Sequence, residues 1–385
     1  MNRPLRVLTI GHSYVLAVNR SLARAVAEDG DFDVTVAAPS FFHGDFGPIR
    51  VEPEPSESKL RLVSIGSRTT KFIHLFGYEG NGLHKLLSED FDVVHAWEEP
   101  FIYAGYQIAR SVAKTARFVF RTAQSIVKRY PPPFCFFERA VRRRAQGWIA
   151  GGNLVYKAML QRGYDKDRGR VLTLAVDTSA FKPLASEQRD AVLRDLGLRS
   201  PLIGFLGRVT PEKGIDRLLD ALELIPRGLD WNLLCIGTGS REGHARQWAE
   251  QRGLSGRVKI QAVRHDEVPR YLGACDLLVA PSQTTSRWRE QFGRMLIEAF
   301  ACGVPAITSD SGELPYVADD AARVVSEGDS RAWAVAIAET LTDPARRDTM
   351  RQRGFARLNQ YSVKTVASQY REYYRWLSAQ SPCAV

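Results

Sequence analysis

The chain has 385 residues, of which 44% are hydrophobic and 25% charged, and a formal net charge of +10. That length is more than one ordinary core organises and points to two domains of about 150 to 200 residues. The composition excludes a disordered or fibrous chain, and no apolar run is long enough for a membrane-spanning helix.

The predicted elements follow in chain order. The opening MNRPLRVLTIGHSYVLAV has a basic start, but Gly11, His12 and Ser13 break its apolar run. It reads as a strand and the loop after it rather than as a signal peptide. Strands are expected at 5–10, 33–38, 92–97, 117–122, 147–151 and 171–176 in the first half. In the second half they are expected at 201–207, 232–237, 258–263, 277–282, 305–310 and 321–326. Most are continuously apolar, as parallel strands covered on both faces must be. Helical patterns lie between them, such as 19–29 and 214–225. The alternation specifies a doubly wound α/β fold, written twice. Two Rossmann-like domains are expected, 1–184 and 185–362, with a seam near AVDTSAFKP (175–183). The aromatic, amphipathic end of the chain (363–385) is expected to form a helix packing back across the domains. The five cysteines (Cys135, Cys235, Cys275, Cys302, Cys383) are scattered and form no CxxC pair. They argue against a disulfide framework or zinc site and favour a reducing cytoplasm.

Charge is uneven along this plan. Residues 1–184 hold 26 Lys and Arg against 18 Asp and Glu, whereas residues 185–385 hold 27 against 25. An anionic partner or surface is therefore expected to meet the first domain.

Ligands of open α/β sheets bind beyond the carboxyl ends of the strands, so two such sheets facing a central cleft would line it with strand-end loops. The strand 201–207 runs straight into GRVTPEKGIDRLLDAL, which places Arg208 and Lys213 beside a helix start, a combination suited to a diphosphate. A solvated basic loop would look the same in isolation. CIGTGSREG follows the next strand; its Gly237, Gly239 and Gly243 miss the GxGxxG spacing and suit a close backbone approach or a tight turn. In LLVAPSQTTSRWREQFGRMLIEAFACGVPAITSD a helix is expected from about Gly293 to Ala301. Glu290 then lies in the loop ahead of it and Glu298 more than one turn inside. The amides near Gly293 and Arg294 form a second candidate phosphate site.

Taken together, GRVTPEKGIDRLLDAL, EQFGRMLIEAFACGVPAITSDSGELP and AVDTSAFKP resemble the donor-binding half of the retaining glycosyltransferases of family 4, which have the GT-B fold. The resemblance runs over most of 200–375 and more loosely over the first half. It implies a metal-independent hexosyl transfer, without a cofactor, from a UDP-, GDP- or ADP-sugar to a glycan or glycolipid hydroxyl in cell-surface polysaccharide or glycolipid synthesis. It also implies roles. Arg208 and Lys213 would bind the diphosphate, Glu298 the ribose hydroxyls and Glu290 the transferred sugar. The amides of Phe292 and Gly293 would orient sugar and phosphate, and Val263 and Arg264 would border the base. Three positions depart from the family. The glycine pair usual after the first strand is reduced to Gly11, Gln124 stands where many members have histidine, and Tyr316 replaces a usual glutamate. Gln124 can hydrogen-bond a sugar hydroxyl but cannot titrate. His12 can face an acceptor or be structural.

The Asp-containing triplets at 31–33, 90–92 and 165–167 read as surface caps, and no metal is inferred. KRYPPPFCFFERAVRRR (128–144) sets six basic residues against Glu138 beside three phenylalanines. It suits an anionic membrane surface, although a core-packed aromatic run with a solvated basic face fits as well; nucleic acid is not expected. The expected location is the cytoplasm, peripheral on the inner face of the membrane. Three rival functions are weighed. A Rossmann oxidoreductase lacks its GxGxxG; a hydrolysing nucleotide-sugar epimerase shares the fold; a non-catalytic nucleotide-sugar-binding protein would not need the Arg208, Lys213, Glu290, Glu298 set.

Overall fold

The structure, a computed structural model, describes residues 3–44, 47–68 and 72–381. Residues 382–385 of the expected C-terminal segment, with Cys383, lie outside them. The chain divides into two compact units, Met1–Thr173 with Val363–Val385, and Leu174–Ser362. The first unit thus ends before the sequence-based boundary at 184. Leu174 and the residues after it belong to the second unit, where the Val176 amide donates to the Tyr361 carbonyl at 2.9 Å.

The first unit contains β1 (Leu5–Ile10), β2 (Phe32–Pro39), β3 (Phe41–Gly44), β4 (Gly47–Arg50), β5 (Arg61–Ile65), β6 (Val93–Ala96), β7 (Arg117–Thr122), β8 (Gly147–Ala150) and β9 (Gly169–Val171). Seven of these form a parallel sheet in the order β5-β2-β1-β6-β7-β8-β9, and β3 and β4 make a separate antiparallel hairpin. Sequence reasoning misses β5 and the hairpin, and it places the last strand too late. Of the expected 171–176, only Val171 is in β9, while Val176 makes an isolated bridge to Ser362.

Helices cover the sheet because their apolar positions recur at helical spacing. The C-terminal helix Val363–Ser378 buries Val366, Ala367, Tyr370, Tyr373, Tyr374 and Leu377. It packs on the first unit, where the Tyr374 hydroxyl meets His95 Nδ1 at 2.8 Å. Burial pulls the His95 pKa down to about 3, helped by the Arg121 charge, so this ring stays neutral. Another polar group is sunk in the same unit. Arg20 is fully buried, with its guanidinium bonded to Glu54 and to the carbonyls of Tyr14, Glu52 and Pro53 at 2.6–3.0 Å. A buried cation survives only when its donors are met, and these bonds fasten residues 52–54 to the turn after β1.

The second unit contains β10 (Leu202–Leu206), β11 (Asn232–Ile236), β12 (Val258–Gln261), β13 (Leu277–Ala280), β14 (Ala306–Ser309) and β15 (Ala322–Val325). All pair in parallel in the order β12-β11-β10-β13-β14-β15. The expected strands of this half each cover one of these. The helix Ile215–Glu223 shows why: Ile215, Leu218, Leu219 and Leu222 are buried at the i, i+3, i+4, i+7 positions. Each such side chain contributes about 1.5–3 kcal/mol of burial.

In both sheets the strand order reverses next to the first strand of the unit, between β1 and β6 and between β10 and β13. The loops leaving adjacent parallel strands diverge there and open a crevice at the carboxyl edge.

Candidate functional site

In the second unit the loop after β10 and the loop after β13 meet at that reversal point. Residues Pro211–Lys213 form a single 3-10 turn with proline at its start, and Gly214 carries the chain into the next helix with a φ of 79°. A side chain at Gly214 would overlap the Pro281 carbonyl oxygen, so the two loops are in backbone contact. The glycines after β11 act the same way. Cβ atoms at Gly237 and Gly239 would strike the Gly207 and Val209 carbonyls, and the Arg241 amide donates to the Val209 oxygen at 2.9 Å. Of the two readings of these glycines, the approach is to a neighbouring loop. Gly243 has open space around it, within the helix Glu242–Gln251.

This backbone packing fixes the side chains. Lys213 Nζ donates to Glu290 Oε2 at 2.6 Å, and the Ser282 hydroxyl donates to the same oxygen at 2.9 Å. Both ionic side chains are largely buried, and the ammonium also lies 5.2 Å from the centre of the Trp288 ring. An ammonium has three donors, so bonding Glu290 leaves two for another anion. The Glu290 carbonyl accepts from the Glu313 amide at 3.0 Å, which anchors the loop from behind. Arg208 is looser: its side chain is 42% exposed and pairs with Glu212 at 3.3 Å. An exposed pair of this kind contributes at most about 1 kcal/mol, so it yields readily to a stronger anion.

Glu290 lies in the loop and Glu298 inside the helix Arg294–Ala301, of which Gly293 is the N-cap. Every residue of the helix after Arg294 is buried, Glu298 included. Burial raises the Glu298 pKa to about 7 against the lowering effect of Arg294. Such a carboxyl is divided about equally between its neutral and ionised forms near pH 7, and both forms keep acceptor capacity for hydroxyl donors. Phe292 sits with its ring in the core, 5.8 Å from that of Tyr361, so only its backbone is in question as a ligand. Val263 and Arg264 follow the edge strand β12; Val263 packs on the core and Arg264 pairs with Asp266 at 2.9 Å. Tyr316, at the position usually glutamate, is in the short helix Leu314–Ala318 and is 39% exposed.

The candidates of the first unit gather at its own reversal point. Gly11 follows β1, and a Cβ there would stand 2.8 Å from Cβ of Trp97, just beyond β6. The His12 amide donates to Glu98 Oε1 and its Nδ1 meets Glu98 Oε2, both at 2.7 Å. The Tyr78 hydroxyl donates to Glu98 Oε1 at 2.9 Å. Burial pulls the His12 pKa down, but the charge and hydrogen bond of Glu98, with the charge of Glu99, outweigh it and leave it raised. Gln124 stands after β7 and turns inward, its Oε1 accepting from the Ile126 amide at 3.1 Å. That bond uses one lone pair of the side-chain oxygen and leaves the other, with the amide donors, for a further partner. The Asp-containing triplets are held by arginines. Asp31 pairs with Arg375 and Asp92 with Arg3, each at 2.8 Å, while Asp165 caps the turn at Asp167.

Sequence reasoning missed Ser282, Trp288 and Glu98. Ser282 and Glu98 could have been found by position, since each lies just past a strand that borders a reversal point. Trp288 carried no such signal.

Residues 190–357 match the family model described as Glycosyl transferases group 1. A GDP-mannose-dependent monoacylated alpha-(1-6)-phosphatidylinositol monomannoside mannosyltransferase of Corynebacterium glutamicum is 32% identical over 192 residues, covering 48% of this chain and 50% of the relative. The chain thus spans about half the length of such curated relatives. The lipopolysaccharide core biosynthesis mannosyltransferase LpsB of Rhizobium meliloti is 25% identical over 331 residues, covering 77% of this chain and 88% of that protein. Among solved structures, Anabaena Alr3699/HepE in complex with UDP and glucose superposes with a TM-score of 0.75 at 18% identity, covering 97% of this chain and 100% of the other. The two doubly wound units and their solved neighbours define the GT-B fold, and residues 190–357 of the second unit carry the match to the glycosyl transferases group 1 family.

Proposed function

We propose that the chain is a retaining glycosyltransferase of the family 4 type. In this reading it moves a sugar from a nucleotide-diphosphate sugar to a hydroxyl of a glycan or lipid-linked acceptor, with no metal or cofactor in the step. The observation that carries the reading is the Lys213–Glu290–Ser282 cluster between the loops after β10 and β13, with the helix start at Gly293 following it. The two remaining ammonium donors of Lys213 meet the donor's diphosphate, and Arg208 leaves Glu212 to join them. As the bond from the anomeric carbon to the phosphate oxygen breaks, negative charge grows on that oxygen, and these fixed cations stabilise it. Glu290, already oriented by Lys213 and Ser282, accepts from hydroxyls of the transferred sugar. Glu298 accepts from the ribose. The acceptor oxygen attacks on the face the phosphate leaves, and its proton passes to the departing phosphate oxygen, which preserves the anomeric configuration. The relatives named above as mannosyltransferases, acting on a phosphatidylinositol mannoside and in lipopolysaccharide core synthesis, support an acceptor of glycolipid or polysaccharide type.

A thermal-shift panel of UDP-, GDP- and ADP-sugars and the free diphosphates tests this. One nucleotide should raise the unfolding midpoint. Arg208→Ala should keep the fold, since it removes a largely exposed side chain, and should weaken binding of that diphosphate about tenfold to a hundredfold, as loss of a charge-assisted contact does. A panel without any shift, or an Arg208→Ala variant of unchanged affinity, would contradict the phosphate assignment.

A further inference from the structure

The basic, aromatic segment at 128–144 looks different in three dimensions from its sequence. Several of its charges are used internally. Glu138 is held by Arg162 at 2.5 Å and by the Tyr164 hydroxyl, Arg142 lies over the Tyr164 ring, and Arg144 donates to the carbonyls of Ala113 and Ala116. The surface feature is instead built from three separate stretches of chain. Phe72 is 69% exposed, Leu75 49%, Tyr103 38% and Phe136 55%.

These four belong together because one aromatic layer lies beneath them. The His74 ring, between Phe72 and Leu75, is 5.9 Å from Phe101 and 5.5 Å from Phe134. Phe134 is 6.1 Å from Phe137, which in turn lies 5.8 Å from Tyr103. The exposed side chains stand next to members of this layer along the chain. Single exposed apolar residues are ordinary, but a joined group of aromatics marks an interaction site.

Charge identifies the partner. On the helix Phe134–Arg144, Arg139 and Arg143 follow Phe136 at i+3 and i+7, so they share its exposed face. Arg110 adds a cation over the Tyr106 ring, itself stacked 4.7 Å from Phe137. With Glu138 neutralised by Arg162, the field over the aromatic group is positive. Aromatic side chains at the level of a row of arginines match the boundary between acyl chains and anionic headgroups.

We propose that Phe72, Leu75, Tyr103 and Phe136, with Arg139 and Arg143, form a surface that docks the first unit on an anionic lipid bilayer. No helix among the described residues is long and apolar enough to cross a membrane, so attachment here is to its surface. The proposal is independent of the donor chemistry assigned to the second unit.

The test is co-sedimentation of the whole chain with phosphatidylcholine vesicles, with and without about a third anionic phospholipid, at low and high salt. The wild type should pellet with anionic vesicles only and be released by salt. The pairs Phe72→Ser with Phe136→Ser, and Arg139→Glu with Arg143→Glu, should each reduce partitioning about tenfold or more, since each basic residue near such a surface is worth about a factor of five and burial of an aromatic side chain at least as much. An unchanged unfolding midpoint and unchanged nucleotide binding show that the variants remain folded. Wild type that stays in the supernatant, or pelleting indifferent to both pairs, overturns the proposal. So does a concentration-dependent dimer that dissociates on Phe136→Ser without any lipid binding, which would assign the face to a second copy of the chain.

Discussion

The two units place a carboxylate and a nitrogen base at the same topological position and use them differently. At the β10/β13 reversal, Lys213 and Glu290 face each other at 2.6 Å; at the β1/β6 reversal, His12 and Glu98 do so at 2.7 Å. The surroundings separate them. In the second unit the adjoining loops touch backbone to backbone through Gly214, Gly237 and Gly239, which fixes the crevice before any ligand arrives. In the first, side chains fill the equivalent place: Trp97 against Gly11, and Phe42 4.7 Å from the His12 ring. A site built on backbone contact suits a ligand part that never varies, such as a diphosphate. A site built on side chains can be altered one residue at a time, which suits a partner that differs between relatives.

The strongest challenge to this contrast is to add one methyl group at each reversal point. Gly214→Ala forces a Cβ onto the Pro281 carbonyl in a left-handed backbone and should destabilise the second unit by about 4 kcal/mol. Gly11→Ala meets Trp97 at 2.8 Å from an extended backbone, and should cost about 1–3 kcal/mol. Denaturant titration of each variant checks the order; equal costs would remove the distinction.

Next in size is Glu290→Gln. It removes the charge that holds Lys213, and if Glu290 grips the sugar as proposed, transfer should fall about a hundredfold, or ~2.7 kcal/mol, with a much smaller loss of nucleotide affinity. Glu98→Gln, its counterpart in the first unit, should leave nucleotide affinity unchanged. Transfer assays beside calorimetric titration separate these outcomes, and a fully active Glu290→Gln would remove that residue from the chemistry.

The smallest effect is a pH dependence. The Glu298 pKa is raised by burial to about 7, so the stability linked to its neutral form is fully present below the ordinary carboxylate pKa and is lost as pH rises through about 7. The ionised form is the better acceptor for two ribose hydroxyls, so nucleotide affinity should increase several-fold, up to about tenfold, between pH 6 and 8. Glu298→Gln should flatten that rise and lift the unfolding midpoint at pH 8. A variant with wild-type pH dependence of binding would exclude Glu298 from the nucleotide site.

Much of the second unit could be read from its residues because four of its strands, β10, β11, β13 and β14, are central and buried on both faces. The loop position of Glu290 and the helical position of Glu298 followed from Gly293, Gly303 and Pro305 alone. The first unit was harder to read for physical reasons. β5 is an edge strand with only Ile65 fully buried, so RLVSI lacks the apolar run of a central strand. VLTLAV had that run, yet its apolar residues are divided, with Val171 packing on the core of the first unit and Leu174 and Val176 on that of the second. Arg20 gave no hint of burial, because its partners Glu52–Glu54 are distant in sequence and irregular in backbone. The turn that Gln124 closes on the Ile126 amide gave no signal in the sequence either, because a side-chain amide can bond its own backbone two residues on.

The helix Val363–Ser378 has a consequence for how the protein is made. It carries Tyr374 to His95 and Arg371 to the Ala25 carbonyl, so the first unit is completed by residues synthesised after the whole of the second unit. The second unit, Leu174–Ser362, is contiguous and can close while the chain is still being extended. Until the helix arrives, the face of the first unit that receives Tyr370, Tyr373 and Tyr374 stays wet. The unit whose synthesis begins first is therefore finished second, and until residues 363–378 emerge a second unit able to fold follows a first that is still open.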